Sequence, residues 1–312
     1  MSQSLKGKTA LVTGGSRGIG RGIAERLAKG GATVALTYNA GKAGADETVA
    51  AIEASGGKAF ALRADLADAG AIPALFDRLD RELVDRKGNA ALDILVNNAG
   101  NAGWGSLGDA TPDGWDKMFA VHARAPFFMV QSALGRLRDG GRIINVSSAA
   151  GTRAMAAVPI YSMAKAAINN LTHALAIELG PRGITVNTVA PGWVRTDMNA
   201  AVRENADMVT AIEADTALGR FGETSDIAAV VAFLASDEGR WITAQVIEAS
   251  GVSAKSSGQH SSRKPDRTFN IGQGGAHALR ATRDTTGRSL TVSAQLSDQE
   301  IARRQISDLG IL

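Results

Sequence analysis

Tyr161, one of two tyrosines in this chain of 312 residues, stands four residues before Lys165, and Ser148 lies thirteen residues upstream of it. Positions four apart share one face of a helix, so this spacing predicts an ammonium beside a phenol. A phenol titrates near ~10 in water, and an adjacent positive charge stabilises the phenolate and draws that value towards neutrality. A tyrosine so placed hands a proton to a developing alkoxide or takes one from an alcohol. Ser148 would supply a hydroxyl to hold the substrate oxygen where charge develops. A bare Tyr-x-x-x-Lys also arises by chance on surface helices, so the rest of the chain has to decide.

These side chains need a scaffold, and the N-terminal segment begins it. Residues 8–13 form a short apolar run with β-branched members, followed by Gly14-Gly15-Ser16-Arg17-Gly18-Ile19-Gly20 and a helical pattern at Ile23, Ala24, Leu27 and Ala28. Strand, glycine turn and helix in that order make a dinucleotide cradle. The glycines admit a pyrophosphate close to the backbone, and the helix start offers unpaired N–H groups and a positive dipole end. The spacing is T-G-x-x-x-G-x-G rather than G-x-G-x-x-G, and a glycine-rich turn is often only a turn.

Further apolar runs at 10–12, 33–36, 59–63, 94–96, 142–146, 185–189 and 245–248 predict strands, and helix-length amphipathic stretches separate them. Strands alternating with helices predict an α/β fold: one doubly wound parallel sheet covered on both faces. In such sheets ligands bind beyond the carboxyl ends of the strands. The Gly14 turn, Asp65, Asn98, Ser148 and Pro191 each follow a predicted strand, where a single site would need them.

Composition narrows the function classes. With 45% apolar residues the chain can bury a full core, and it contains no run of about eighteen apolar residues. The N-terminus lacks a charged, then apolar, then small-residue pattern, so a cytoplasmic protein without membrane contact is expected. Zero cysteines exclude disulfides and thiolate metal sites, and four histidines without an H-E-x-x-H arrangement predict no catalytic metal. The net charge of +3 hides an asymmetry: residues 251–312 hold nine Lys/Arg against five Asp/Glu, so residues 1–250 carry about −1. Two segments are therefore expected, a folded domain over 1–250 and a basic, largely irregular extension over 251–312, rich in Ser, Gly, Gln and Arg. Ser297-Asp-Gln-Glu300 reads as a capping box opening a short helix. The extension lacks dense Lys/Arg runs or interleaved aromatics, so no nucleic-acid partner is expected.

The Tyr161/Lys165 pair, the Gly14 turn, Asn97-Asn98-Ala99-Gly100, the run Ile143-Ile-Asn-Val-Ser-Ser148 and Pro191-Gly-Trp-Val-Arg-Thr196 occur together, in order. With them the chain resembles the short-chain dehydrogenase/reductase family over about residues 5–250. Gly219-Arg-Phe-Gly222 and Ala232-Phe-Leu-Ala-Ser-Asp-Glu238 bring it nearest the 3-oxoacyl carrier-protein reductase-like branch. The resemblance implies a single Rossmann-type domain and interconversion of a carbonyl and a secondary alcohol by hydride transfer. Tyr161 would be the general acid/base, Ser148 the carbonyl anchor, and Lys165 the holder of the nicotinamide ribose and depressor of the tyrosine pKa. The substrate would be a small carbonyl or alcohol compound, a 3-oxoacyl thioester or related ketone among them. An acyl-carrier protein docking near Arg124 and Arg136 is a further partner the branch allows, and family members are commonly homotetramers. A non-catalytic NADP(H)-binding redox sensor or scaffold on the same fold is the alternative.

For the cofactor, the resemblance places Gly14, Ser16, Arg17, Gly18, Ile19 and Gly20 at the phosphates and Tyr38 and Asn39 at the end of the second strand. Asp65 and Leu66 fall at the adenine, and Asn98, Ala99 and Gly100 beside the adenosine. Tyr161, Lys165, Pro191, Gly192, Val194 and Thr196 fall around the nicotinamide. NAD-preferring members usually carry an acid at the end of the second strand; here Leu36-Thr37-Tyr38-Asn39 has none, and Arg17, with Lys42, is placed for a 2′-phosphate. NADP(H) is therefore expected ahead of NAD(H). His122 replaces the family's usual asparagine, which helps hold a water in a proton relay from the lysine; His122 is either a relay member or an ordinary packed histidine. Specificity is expected in 197–219 and in the segment after Ser148, with Trp104, Met155 and Trp193 as candidate walls. Val252 stands where the family ending usually has a second glycine, and the extension begins there.

Overall fold

The computed structural model describes residues 4–103, 105–153, 155–252, 281–283 and 290–292. Two compact units divide the chain, Met1–Gln259 and His260–Leu312. In the first, the elements run β1 (Thr9–Val12), α1 (Gly18–Lys29), β2 (Thr33–Tyr38), α2 (Lys42–Ala54), β3 (Lys58–Arg63), α3 (Ala71–Lys87) and β4 (Leu92–Asn97). After α4 (Pro112–Phe119), a π-helical turn (Ala120–Arg124) and α5 (Ala125–Ala133) come β5 (Leu137–Val146), α6 (Pro159–Leu179) and β6 (Thr185–Pro191). The unit closes with α7 (Ala200–Arg203), α8 (Ala206–Asp215), α9 (Thr224–Ala235) and β7 (Val246–Ala249).

The seven strands form one sheet in the order β3-β2-β1-β4-β5-β6-β7, and every neighbouring pair is parallel. This is the doubly wound Rossmann-type sheet expected from the alternation of strand and helix patterns. Helices cover both faces, so consecutive strand residues are buried rather than alternate ones. Ala10 and Val12 point into one core with Ile23, Leu27, Ile52, Ile227 and Val231 from α1, α2 and α9. Leu11 and Leu95 point into the other with Leu75, Phe76, Leu79, Met129 and Leu175 from α3, α5 and α6. The chain leaves β1 towards one edge and returns to β4 on its other side, opening a crevice between the ends of β1 and β4.

All seven strands fall where the apolar runs predict, with one difference of extent. β5 starts at Leu137, five residues before its predicted start, and its register with β4 shifts between Leu92 and Ile94. Gly140 sits in that irregular stretch at φ +72, a left-handed conformation that costs glycine little. The added residues begin with the buried Leu137, but Arg138, Asp139 and the two glycines that follow carry no strand signal.

Of the second unit, six residues are described. Its described residues, Ala281–Arg283 (β8) and Leu290–Val292 (β9), pair antiparallel, with Thr282 opposite Thr291. The predicted helix opening at Ser297-Asp-Gln-Glu300 lies outside the described residues. Among the described residues no helix is long and apolar enough to cross a membrane.

Candidate active site

Beyond the carboxyl ends of the strands lies a cavity of about 1120 Å³, lined by Ser148, Tyr161, Lys165 and His122 and by the residues expected at the cofactor from Gly14 to Thr196, Lys42 excepted. At one end the turn after β1 is strapped to the turn after β4. Thr13 Oγ1 accepts from the N–H groups of Asn98 and Ala99, each at 2.9 Å, while Asn98 Nδ2 donates to the carbonyls of Thr13 at 2.9 Å and Gly14 at 3.2 Å. Two glycines make the strap possible. A Cβ on Gly14, which has φ +66, would lie 2.9 Å from Ala99 Cα, and one on Gly20 would lie 2.1 Å from the Gly14 carbonyl oxygen. Helix α1 opens directly over this turn. Its cap residue Arg17 is extended and makes no side-chain cap, and its first turn holds no acid. Uncapped N–H groups, a positive dipole end and a backbone bare of side chains fit the pyrophosphate of a dinucleotide.

Arg17, Ser16, Tyr38, Asn39, Asp65 and Leu66 line the same end. Asp65 Oδ1 accepts from the Ala67 N–H at 3.0 Å, which holds its carboxylate at the start of the turn after β3. Lys42 does not join them. Its ammonium pairs with Asp46 one helical turn on, at 2.6 Å, and it lies outside the cavity lining. The sequence-based expectation that Lys42 assists Arg17 at the phosphate therefore has no support from the lining, although its ion pair with Asp46 is exposed.

At the other end, α6 presents Tyr161 and Lys165 to the end of β5. The apolar positions Ala164, Ile168, Leu175, Ala176 and Leu179 face the sheet, and Pro159 begins the first turn without costing a helical hydrogen bond. Lys165 is 5% exposed, and its Nζ donates to the Val146 carbonyl at 2.9 Å while standing 5.7 Å from the Tyr161 ring centroid. Burial lowers its pKa from 10.5 to about 8. Burial also raises the Tyr161 pKa, and a hydrogen bond with Ser148 offsets part of the rise. Lys165 stands beside the ring as the spacing predicts, and the largest influence on the phenol is burial, which raises its pKa.

Ser147 and Ser148 have separate partners. Ser147 is buried and its Oγ donates to the Lys165 carbonyl at 3.0 Å, tying α6 to the strand end. Ser148 lines the cavity, its Oγ accepting from the Ala150 N–H at 3.1 Å and also meeting the Tyr161 side chain.

His122 occupies the π-helical turn and is 2% exposed. Its Nε2 lies 2.9 Å from the Asn101 carbonyl oxygen and 3.0 Å from Asn101 Oδ1, with the Asn101 N–H farther away at 3.4 Å, and the two nearer oxygens favour the ring proton on Nε2. Nδ1 is then a lone-pair acceptor, buried and without a partner among the described residues. Burial, and after it the charge of Lys165, holds the His122 pKa well below 6.5, so the ring is neutral. It meets Tyr161 edge-on with centroids 5.3 Å apart. A Cβ on Gly100 would fall 2.5 Å from His122 Cε1, so the Asn-Asn-Ala-Gly turn makes room for this imidazole. Pro126, four residues on, has no N–H and cannot close the α-helical bond onto the His122 carbonyl.

The wall beyond Ser148 is mixed. Met155, Val158, Trp193 and Met198 line it, and an ion pair joins Arg153, in the turn after β5, to Glu248 at the end of β7. Trp104 lies outside the described residues. Arg153 falls in the segment after Ser148 expected to shape specificity, whereas sequence reasoning missed Glu248 and Asn101, because their partners are distant in the chain and nothing in their spacing marks them. Arg136 forms a two-pronged pair with Asp80, at 2.7 and 2.6 Å, and Arg124 donates to the Ala67 carbonyl. Both arginines singled out for carrier docking are therefore engaged within the fold. Among the described residues no group of three or more His, Asp or Glu side chains is arranged for a metal ion.

Comparison with known proteins matches this architecture. Residues 14–251 match a family model described as Enoyl-(Acyl carrier protein) reductase. An uncharacterized oxidoreductase of Methylorubrum extorquens is 42% identical over 252 residues, covering 79% of this chain and 98% of its own. Versicolorin reductase stcU of Emericella nidulans is 40% identical over 260 residues, covering 79% and 96%. Among solved structures, the angucycline C-6 ketoreductase LanV with bound NADP superimposes with a TM-score of 0.78 at 45% identity, covering 82% of this chain and 98% of LanV. LugOII, described as a promiscuous reductase catalysing keto-reduction at C1 in lugdunomycin biosynthesis, gives a TM-score of 0.78 at 47% identity, covering 80% and 99%. With its parallel sheet, its glycine turn and Ser148, Tyr161 and Lys165 meeting in one cleft, the chain belongs to the short-chain dehydrogenase/reductase family of oxidoreductases.

Proposed function

We propose that this chain is an NADP(H)-dependent ketoreductase whose substrate is a fused-ring aromatic ketone. The observation that carries the reading is the convergence of Ser148, Tyr161, Lys165 and His122 at one end of a cleft whose other end holds Arg17 and the glycine turn. The Gly14 to Gly20 turn and the start of α1 hold the pyrophosphate, and Arg17 pairs with the 2′-phosphate beside Tyr38 and Asn39. Asp65 and Leu66 border the adenine, and Asn98, Ala99 and Gly100 border the adenosine. Lys165 reaches the nicotinamide ribose, and Pro191, Gly192, Val194 and Thr196 flank the nicotinamide. The bound cofactor supplies the hydride that reduces the carbonyl carbon.

Tyr161 supplies the proton. With its pKa raised, the phenol is protonated at neutral pH, which suits an acid in carbonyl reduction rather than a base in alcohol oxidation. Ser148 holds the carbonyl oxygen at the position from which Tyr161 protonates it. Lys165, with a pKa of about 8, remains mostly charged at neutral pH and stabilises the developing negative charge. His122 serves the relay that returns a proton to this end of the cleft. Its Nδ1 accepts, and its carbonyl, relieved of an α-helical bond by Pro126, offers a second acceptor.

The ring-bearing substrate class rests on the wall of Met155, Val158, Trp193 and Met198 together with the relatives. Their names include hydroxynaphthalene reductase-like proteins of Metarhizium species as well as the angucycline ketoreductase. A carrier-bound 3-oxoacyl thioester has less support, since Arg124 and Arg136 are engaged elsewhere. The exposed Trp115, Phe127, Phe128, Met163 and Ile177 give α4, α5 and α6 an apolar outer side, which we assign to packing against further copies of the chain in a tetramer. A monomeric mass by light scattering at micromolar concentration would remove that assignment.

NADPH consumption should be measured with hydroxylated tetralones and anthraquinones beside a 3-oxoacyl thioester. Turnover is expected with the ring ketones, and Tyr161→Phe should lower kcat by about 10²- to 10⁴-fold while leaving NADPH affinity near its original value. NADPH binding with no turnover on any ketone would favour a sensor. Arg17→Ala should raise the KM for NADPH about tenfold and leave that for NADH nearly unchanged; equal effects on both would refute the pairing with the 2′-phosphate. The neutral His122 sets a sign for pH. Its folded pKa lies below the unfolded 6.5, so the unfolded chain binds more protons as pH falls below that value, and stability is lost towards the folded pKa. His122→Asn should therefore show a shallower loss of unfolding free energy in urea below pH 6.5; identical slopes would mean the ring protonates freely in the fold.

A further inference from the structure

Helix α6 carries Tyr161 and Lys165, and the end of β5 leads to Ser148, so the proton-transfer geometry depends on where α6 sits along the sheet. Most of its buried face is aliphatic, and apolar contact is non-directional, so it leaves axial position loosely specified. Three buried residues on that face are polar: Ser162 and Lys165 in its first two turns, and Thr172 farther along. Thr172 lies two turns beyond Lys165, about 10 Å along the axis, and is fully buried.

Its hydroxyl makes three contacts. Oγ1 lies 3.0 Å from the Ile168 carbonyl, 2.9 Å from Asn145 Nδ2 on β5 and 2.6 Å from Thr188 Oγ1 on β6. A hydroxyl has one proton and two lone pairs, and the roles resolve. Asn145 Nδ2 donates to Thr172, Thr172 donates to the Ile168 carbonyl, and Thr188 then donates to Thr172. The network extends one strand further, since Asn97 Nδ2 on β4 donates to Asn145 Oδ1 at 2.9 Å. Asn145 and Thr188 are fully buried and Asn97 is 5% exposed, so water does not replace a lost partner. The network lies three residues before Ser148 on one strand and three before Pro191 on another.

We propose that Thr172 is a positioning residue: by saturating its hydroxyl across β5 and β6 it sets the axial seat of α6, which brings Tyr161 to Ser148 and Lys165 to the Val146 carbonyl. The proposal rests on the reading of Tyr161 as proton donor. Removing the hydroxyl leaves the Asn145 amide and the Thr188 hydroxyl without their acceptor in a dry interior, and a small shift of α6 relieves them. Such a shift misaligns the proton donor without touching the glycine turn that holds the cofactor.

Four proteins are compared with a ring ketone below their melting temperatures: the parent, Thr172→Val, Thr172→Ser and Tyr161→Phe. NADPH affinity is measured separately by nicotinamide fluorescence. Thr172→Val is expected to lower kcat about ten- to a hundredfold, with the NADPH Kd within about threefold, and Thr172→Ser to return kcat to within about threefold of the parent. A Thr172→Val protein with parental kcat, even at a lowered Tm, overturns the positioning role while Tyr161→Phe still tests the proton donor. A loss of kcat that serine does not restore overturns it as well. Full activity in Tyr161→Phe overturns the proton-donor reading and the proposal together. Should Thr172→Val not fold, Thr188→Val deletes one arm of the network and takes the same measurements, with a smaller loss of kcat expected; parental kcat there counts against the proposal.

Discussion

The cleft is organised around one cation held out of water. Lys165 donates to the Val146 carbonyl from a position 5% exposed, and burial lowers its pKa to about 8. The same dryness raises the Tyr161 pKa, and burial with the Lys165 charge keeps His122 neutral. A pocket that tolerates one buried charge disfavours a second, so a neutral phenol and a neutral imidazole accompany the ammonium. Near neutral pH the proton is held on Tyr161, the state in which the site acts as an acid.

The parallel sheet makes that concentration of polar chemistry affordable in an apolar molecule. Strand interiors are aliphatic on both faces, and polar groups accumulate where the strands stop pairing. At those ends the contacts become directional. Thr13 and Asn98 strap the glycine turn, Ser147 and Asn145 tie β5 to α6, and Asn169 Nδ2 donates to the Gly151 carbonyl at 3.1 Å. The turn after Ser148 packs equally closely: a Cβ on Gly151 would lie 2.8 Å from the Lys165 carbonyl carbon. Apolar burial supplies stability, and this polar layer specifies which packing is adopted.

The strands were legible in the sequence because strands buried on two faces read as continuous apolar runs, and all seven appear where those runs lie. The cleft lining was legible because glycines, Asn98, Ser148, Tyr161 and Pro191 occupy turns just after strands, where local sequence and position coincide. What escaped depends on contacts between distant residues or on how strongly a group is desolvated. Spacing alone placed Lys165 beside Tyr161 but could not show how deeply both groups are buried. Lys42, expected to assist at a phosphate, pairs on the surface with Asp46 at i+4. His122 was visible as a substitution; its tautomer depends on Asn101, twenty-one residues away. Thr172 resembles any helix threonine until Asn145 and Thr188 are seen on either side of it. The strand pair β8 and β9 escaped because three-residue strands in a Ser/Gly-rich segment carry no periodicity to read.

The division between legible and illegible parts also separates two halves of the chemistry. Proton donor, cation and dinucleotide cradle must meet fixed geometric demands, and short motifs meet them with residues close in the chain. The substrate wall is drawn from several segments: Met155 and Val158 before α6, Trp193 after β6, Met198 ahead of α7. Beside it, the pair between Arg153 and Glu248 bridges the turn after β5 to the end of β7, and Asp197, Asn199 and Ser250 add polar groups to the lining. A flat ring system bearing hydroxyl groups satisfies both kinds of surface at once, stacking on Trp193 and Met155 and hydrogen-bonding to the paired charges. The apolar residues of this wall, beside polar ones, are the physical ground on which the proposed ring ketone rests.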